Sequence, residues 1–182
     1  AEDSAVTDGD AAGSASDGTT TGDATGDAES VPWPYEGFAA TGGSEHDIAY
    51  GWVGAGQPTE QRVTEVVELG ARVLSLRFEG EDPFEEQALV EGLGGTFLRY
   101  PTQSSTFADS AWREGLYDLY DAQAALGGPV YLHCGSSDRV GATWALYHAE
   151  RIGLPAEDAL ATGLAAGLSG LESTIKALLG LE

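Results

Sequence analysis

Tyr131-Leu132-His133-Cys134-Gly135-Ser136-Ser137-Asp138-Arg139-Val140-Gly141 is the stretch on which the reading of the fold turns. The apolar residues just before His133 read as a buried strand, and Val140, Trp144, Tyr147 and Ile152 fall on one broad face of a helix that starts near Arg139. Between strand and helix stand a Cys, a Gly, two Ser and an Asp, followed by an Arg. That order describes a short loop wrapped over a helix N-terminus, where unsatisfied N–H groups and the positive end of the helix dipole favour an anion. Cys134 is the only cysteine of the chain. Beside a guanidinium and a helix N-terminus its thiolate form is favoured, so a reactive or anion-binding site is expected around Cys134 and Arg139.

Outward from this loop, strand and helix signals alternate. Residues 48–53 read as a first strand, the glycines and Pro58 turn the chain, and Thr59 is placed to cap a helix with Val63, Val66 and Val67 on one face. Gly70 stands where that helix should end. Residues 71–77 read as a second buried strand, 78–83 as a loop carrying Glu79, Glu81 and Asp82, and 84–91 as a helix. A third strand over 96–100 ends at Pro101. After a polar loop, Asp109 or Ser110 caps a helix whose face is Trp112, Leu116, Leu119, Gln123 and Leu126. Two short helices over 155–166 and 171–180 follow the signature stretch. This alternation predicts an α/β fold with a central parallel sheet of four to five strands flanked by helices. Ligands in such sheets sit outside the carboxyl ends of the strands. The Cys134 loop lies at one such end, and the loops 78–83 and 101–108 are expected to wall its pocket.

Composition divides the chain. Residues 1–30 hold eight acidic residues, no Lys or Arg and no aromatic residue, and are otherwise mostly Ala, Gly, Ser and Thr. Such a segment buries too little apolar area to offset its ordering entropy, so 1–30 reads as a disordered acidic linker and 31–182 as one domain. Of the formal charge of −22, residues 1–30 carry −8 and leave −14 on the remainder. So acidic a surface argues against nucleic acid as a partner. No apolar run is long enough to span a bilayer. The chain has no Met, position 1 included. With the Ala/Gly/Ser/Thr/Asp leader, this reads as the spacer of an exported bacterial protein, periplasmic, extracellular or held by an N-terminal lipid tether.

At the signature loop, at Gly56-Gln57-Pro58-Thr59, at Val73-Leu74-Ser75-Leu76-Arg77, and at Arg139-Val140-Gly141-Ala142 with Trp144-Ala145-Leu146-Tyr147, the chain resembles a bacterial family. It looks like the beta-lactamase-hydrolase-like phosphatase-like domain, a small relative of the cysteine-dependent dual-specificity and tyrosine phosphatases. The resemblance covers about residues 47–180. It implies a cysteine-phosphatase-like fold in which Cys134 is the nucleophile and backbone N–H groups of Gly135, Ser136, Ser137, Asp138 and Arg139 hold phosphate oxygens. Arg139 would clamp two of those oxygens, a thiophosphate would form on Cys134 and be hydrolysed by water, and His133 would orient the loop. The implied partner is a phosphorylated small molecule or protein, and no cofactor is implied.

The sequence departs from the pattern in the loop. Tyrosine phosphatases place five residues between Cys and Arg, and this chain places four, the spacing used by rhodanese-like sulfurtransferases through a cysteine persulfide. A glycine usual in the family is Ser137 here, and an uncharged residue is Asp138, whose carboxylate would repel a dianion or occupy N–H groups that an anion needs. Val140 stands where a hydroxyl often follows the Arg. The general acid of phosphatases sits where this chain has Thr102 and Gln103, so Asp109 is the nearest acidic candidate, against a helix cap as its structural alternative. Glu81 and Asp82 read as a solvated charge run. His46 and His148 read as surface or core residues, and three scattered His with one Cys make no metal site. Three functions therefore stand: phosphate ester hydrolysis through Cys134, sulfur transfer through a Cys134 persulfide, and non-catalytic binding of an anion or partner.

Overall fold

A computed structural model describes residues 35–49 and 51–181. The expectation of a linker over 1–30 lies outside the described residues. The Tyr35 hydroxyl accepts from the Gly128 N–H at 2.8 Å.

The strands are β1 (Glu45–Ala49), β2 (Trp52–Ala55), β3 (Arg72–Ser75), β4 (Phe97–Arg99) and β5 (Val130–His133). They form one sheet in the order β1-β2-β5-β3-β4. The pairs β2–β5, β5–β3 and β3–β4 are parallel, while β1 runs antiparallel to β2. The parallel expectation therefore holds for the four inner and right-hand strands and fails at the β1 edge. The physical reason is Gly51, whose φ of 82° turns the chain inside the predicted strand 48–53 and splits it into a hairpin.

The helices are α1 (Glu60–Glu68), α2 (Glu86–Gly92), α3 (Ser110–Leu126), α4 (Asp138–Tyr147), α5 (Ala156–Ala165) and α6 (Glu172–Leu179). Thr59 Oγ1 accepts from the Arg62 N–H at 3.1 Å and so starts α1, as its residue type suggests. Two predicted apolar positions face water instead: Leu126 is 70% exposed at the end of α3, and Ile152 is 54% exposed. The helical period predicted for Ile152 fails because α4 widens into a π-helical turn over His148–Ile152, which rotates the register.

Side chains alternate across the inner strands. Trp52, Leu74, Val130 and Leu132 join Leu116, Tyr120, Val140 and Trp144 in one apolar cluster. Val53, Val73 and Tyr131 join Val63, Val66 and Val90 in the second, beneath α1 and α2. The same alternation sends the polar residues at the carboxyl ends of β3 and β5, Ser75, Arg77 and His133, toward the α1 and α2 side, where all three are buried. Cys134 falls on the other side, in the cluster with Val140 and Tyr120.

Candidate functional site

β5 ends at His133, and the chain crosses in four residues from Cys134 to the start of α4 at Asp138. So short a connection closes only because Ser137 adopts the left-handed region, with φ 66° and ψ −15°. A non-glycine residue there is strained by about 1–3 kcal/mol, and the surroundings hold it in place. Its buried hydroxyl donates to the Ser44 carbonyl, and the neighbouring Ser136 forms an isolated bridge with Gly56. The Cys134 N–H donates to the Ala55 carbonyl at 3.1 Å, which fixes the start of the loop beside β2.

Arg139 leaves the first turn of α4 and folds back over this loop. One terminal nitrogen, Nη1, donates to Glu81 Oε2 at 2.9 Å, to the Thr102 carbonyl at 3.0 Å and to the Leu76 carbonyl at 3.4 Å. The other, Nη2, lies 3.5 Å from where a Cβ on Gly135 would stand, above the loop. No protein acceptor takes Nε or Nη2 among the described residues. The guanidinium is thus anchored on its back edge and turned with its free edge toward the loop, which is the arrangement that a two-point grip on a tetrahedral anion requires. Burial alone would push Glu81 up, but Arg139 and the Phe78 N–H outweigh it, and its carboxylate sits below the usual range. Glu81 is therefore a partner of the candidate anion clamp rather than a purely solvated charge, and Asp82 also departs from that expectation, lying 2.5 Å from Arg99 Nη2 and 3.2 Å from Arg77 Nη2.

Sequence reasoning also missed the polar group below the loop. Glu86, 1% exposed, puts Oε2 2.6 Å from Arg77 Nη2 and Oε1 2.8 Å from His133 Nε2. The contact with His133 is close but off the straight geometry of a hydrogen bond. The available signal was Glu86 itself, an acidic residue one turn before Val90 on the buried face of α2. Burial would raise the Glu86 pKa, but His133 and Arg77 outweigh it and hold the carboxyl below its usual range. Glu45 behaves alike, burial being outweighed by Arg62, by the Thr41 N–H and by Tyr131. A carboxylate with a depressed folded pKa contributes stability that is complete above its unfolded value, near 4.5 here, and lost as pH falls through the folded value. The melting temperature is therefore expected to be flat above about pH 5 and to drop below about pH 4. Calorimetry across that range checks it, and a melting temperature that holds steady into strong acid would contradict it.

No family model matches this sequence, and no curated protein matches it. Solved structures do. Tk-PTP in its active form superimposes with a TM-score of 0.59 at 18% identity, over 75% of this chain and 95% of that one. TpbA of P. aeruginosa gives 0.60 at 20% identity over 76% and 85%. PTPMT1 in complex with PI(5)P gives 0.56 at 19% identity over 75% and 99%. The fold is that of the cysteine-dependent phosphatases.

Within the cysteine-phosphatase fold, the structure brings His133, Cys134, Gly135, Ser136, Ser137 and Arg139 together at the end of β5, and treats the two acidic candidates differently. Asp138 does not turn its carboxylate into the loop. Its Oδ1 accepts from the Ser169 N–H at 2.7 Å and the Leu171 N–H at 3.2 Å, so the expected competition with a bound anion is replaced by an anchor to the connection between α5 and α6. Asp109 caps α3, with Oδ1 accepting from the N–H groups of Ala111 and Trp112 at 3.0 and 3.2 Å. Val140 is fully buried against the position of a Gly54 Cβ and fills core space. Cys134 is itself fully buried, in the apolar cluster that includes Val140 and Tyr120. Among the described residues no cluster of three or more His, Cys, Asp or Glu is placed to hold a metal ion, and no helix is long and apolar enough to cross a membrane.

Proposed function

We propose that this chain is a cysteine-dependent phosphatase acting on phosphate esters. The observation that carries the reading is the free edge of Arg139 turned over the Cys134 loop at the N-terminus of α4, its back edge tied to Glu81, Thr102 and Leu76. The solved neighbours support the phosphoryl chemistry: PTPMT1 is seen with PI(5)P and TpbA with phosphotyrosine. Cys134 Sγ attacks phosphorus, the ester P–O bond breaks, and the leaving oxygen takes a proton. Water then attacks the thiophosphate, the S–P bond breaks, and inorganic phosphate and the thiolate are released. Amides of the loop and Arg139 hold the nonbridging oxygens throughout.

The leaving oxygen needs a proton donor. Asp109, the nearest acidic candidate in the sequence, has Oδ1 engaged in capping α3, the role that stood as its alternative. Esters whose leaving group needs no acid are accordingly favoured. The expected result is turnover of p-nitrophenyl phosphate at least about a hundredfold faster than that of a simple alkyl phosphate, because a well-placed acid supplies about that factor or more. Equal rates for both esters would show that an effective acid is present.

A second reading, anion binding without turnover, is favoured by the full burial of Cys134. Orthovanadate separates the readings. Vanadate protection of Cys134 from iodoacetate together with turnover of p-nitrophenyl phosphate supports the phosphatase, and protection without turnover supports the binding module. Sulfur transfer from thiosulfate to cyanide, with no phosphate release, would move the reading to a persulfide carrier, the chemistry that the four-residue spacing shares.

A further inference from the structure

Two loops border the Cys134 loop, and they and the start of the Cys134 loop converge on one buried carboxylate. Arg77, 1% exposed, donates from Nη1 to Gln57 Oε1 in the connection between β2 and α1, and to the Glu81 carbonyl at 3.3 Å in the loop 78–83. Its Nη2 meets Asp82 of that same loop. Glu86 Oε2 holds this guanidinium at 2.6 Å, and Glu86 Oε1 holds the imidazole immediately before Cys134 at 2.8 Å. Glu86 thus touches, directly or through one side chain, the Gln57 turn, the loop whose Glu81 anchors Arg139, and the start of the signature loop.

We infer that Glu86 is a positioning residue, the buried carboxylate that keeps the walls of the Cys134 site in register with one another. The inference rests on the proposed anion site for its consequence but not for its geometry. Glu86 is remote from solvent, and without it the buried Arg77 would keep Asp82 as its one carboxylate partner and His133 would lose its own, so Glu86 decides whether the loops hold their places. An alternative role as a simple core ion pair predicts a different signature, a loss spread over the whole fold.

The test uses the chain of residues 1–182 and three variants: Glu86→Gln, the paired replacement Arg77→Met with Glu86→Gln, and Glu85→Gln as the exposed neighbour. The pair removes both charges and so keeps a folded variant available if the single substitution unfolds the protein. Hydrogen exchange is followed by mass spectrometry, and orthovanadate protection of Cys134 from iodoacetate is titrated. The expected result is amide exchange faster by about tenfold or more in residues 56–59, 78–82 and 134–138, unchanged exchange in α5 and α6, and vanadate protection weaker by about tenfold, with Glu85→Gln like the parent. Exchange that rises equally across all helices, or does not rise in the three loops, overturns the inference. Should the parent chain show no vanadate protection, the anion site falls, and the exchange pattern alone decides the role of Glu86 by the same criteria.

Discussion

Replacement of Cys134 by serine is expected to abolish turnover of p-nitrophenyl phosphate, by at least about a thousandfold, since removal of a nucleophile leaves only binding and electrostatic contributions. The hydroxyl is close in size to the thiol but ionises far too weakly to attack phosphorus at neutral pH. The melting temperature should fall by only a few degrees, because the substitution changes one atom in a cluster otherwise formed by Tyr120, Leu132, Val140 and their neighbours. Steady-state rates with calorimetry on the same preparations check both statements. Rapid quench and mass spectrometry of the parent should also find a phosphoryl group on the peptide that contains Cys134. A serine variant that keeps activity within tenfold of the parent would show that hydrolysis does not pass through the thiol.

The largest loss of stability is expected from Gly141→Ala. Gly141 is where α4 crosses α5, and a Cβ there would stand 2.3 Å from the Leu168 nitrogen, 2.5 Å from the Gly163 carbonyl oxygen and 2.8 Å from the Leu168 Cα. All three are backbone atoms, which cannot rotate aside. Relief requires separation of the helices, and the crossing is tight from the other side as well, since a Cβ on Gly163 would stand 2.6 Å from the Gly141 carbonyl oxygen. The expected cost is about 3 kcal/mol or more, the upper range for overpacking. That corresponds to a drop of about 10 °C in melting temperature for a domain of this size. Gly92→Ala is the contrast, since no atom stands within 4 Å of its Cβ position at the end of α2; it should be neutral or stabilising by a few tenths of a kcal/mol. A Gly141→Ala protein as stable as the Gly92→Ala protein would refute the crossing geometry. Because α4 carries Arg139 on its first turn, a shifted helix should weaken vanadate protection as well.

The parts legible in the sequence are those in which structure and chemistry are contiguous. His133, Cys134, Arg139 and the strand and helix around them lie within a few positions, so the period of the apolar residues and the loop composition pointed to one place. The same holds for Thr59 and Gly70, whose capping roles depend on their own helix. Pairings between distant segments were not legible. Nothing in the local pattern of 78–83 tells that Glu81 meets Arg139, or that Asp82 lies between Arg77 and Arg99. Asp138 was read for the charge it would bring to the loop, but its partners, the amides of Ser169 and Leu171, come from a connection 31 and 33 positions further on, beyond α5. The first strand was misread because a hairpin turn at Gly51 leaves almost no polar interruption between two apolar runs. The antiparallel edge followed from that turn rather than from residue preferences.

The anchoring of the signature loop also bears on the order in which the molecule assembles. Ser137 is tied to Ser44, 93 positions earlier, and Asp138 to Ser169, 31 positions later. The strained backbone at Ser137 has no local reason to form and persists only once both partners are present. Closure over such long sequence separations is slow compared with helix formation. The loop therefore belongs to the last stage of folding, after the sheet has taken in β1 at one end of the chain and the α5–α6 connection has closed at the other. A nascent or partly folded chain would carry its single thiol uncovered, so Cys134 is most open to oxidants during synthesis and least open once the chain is complete.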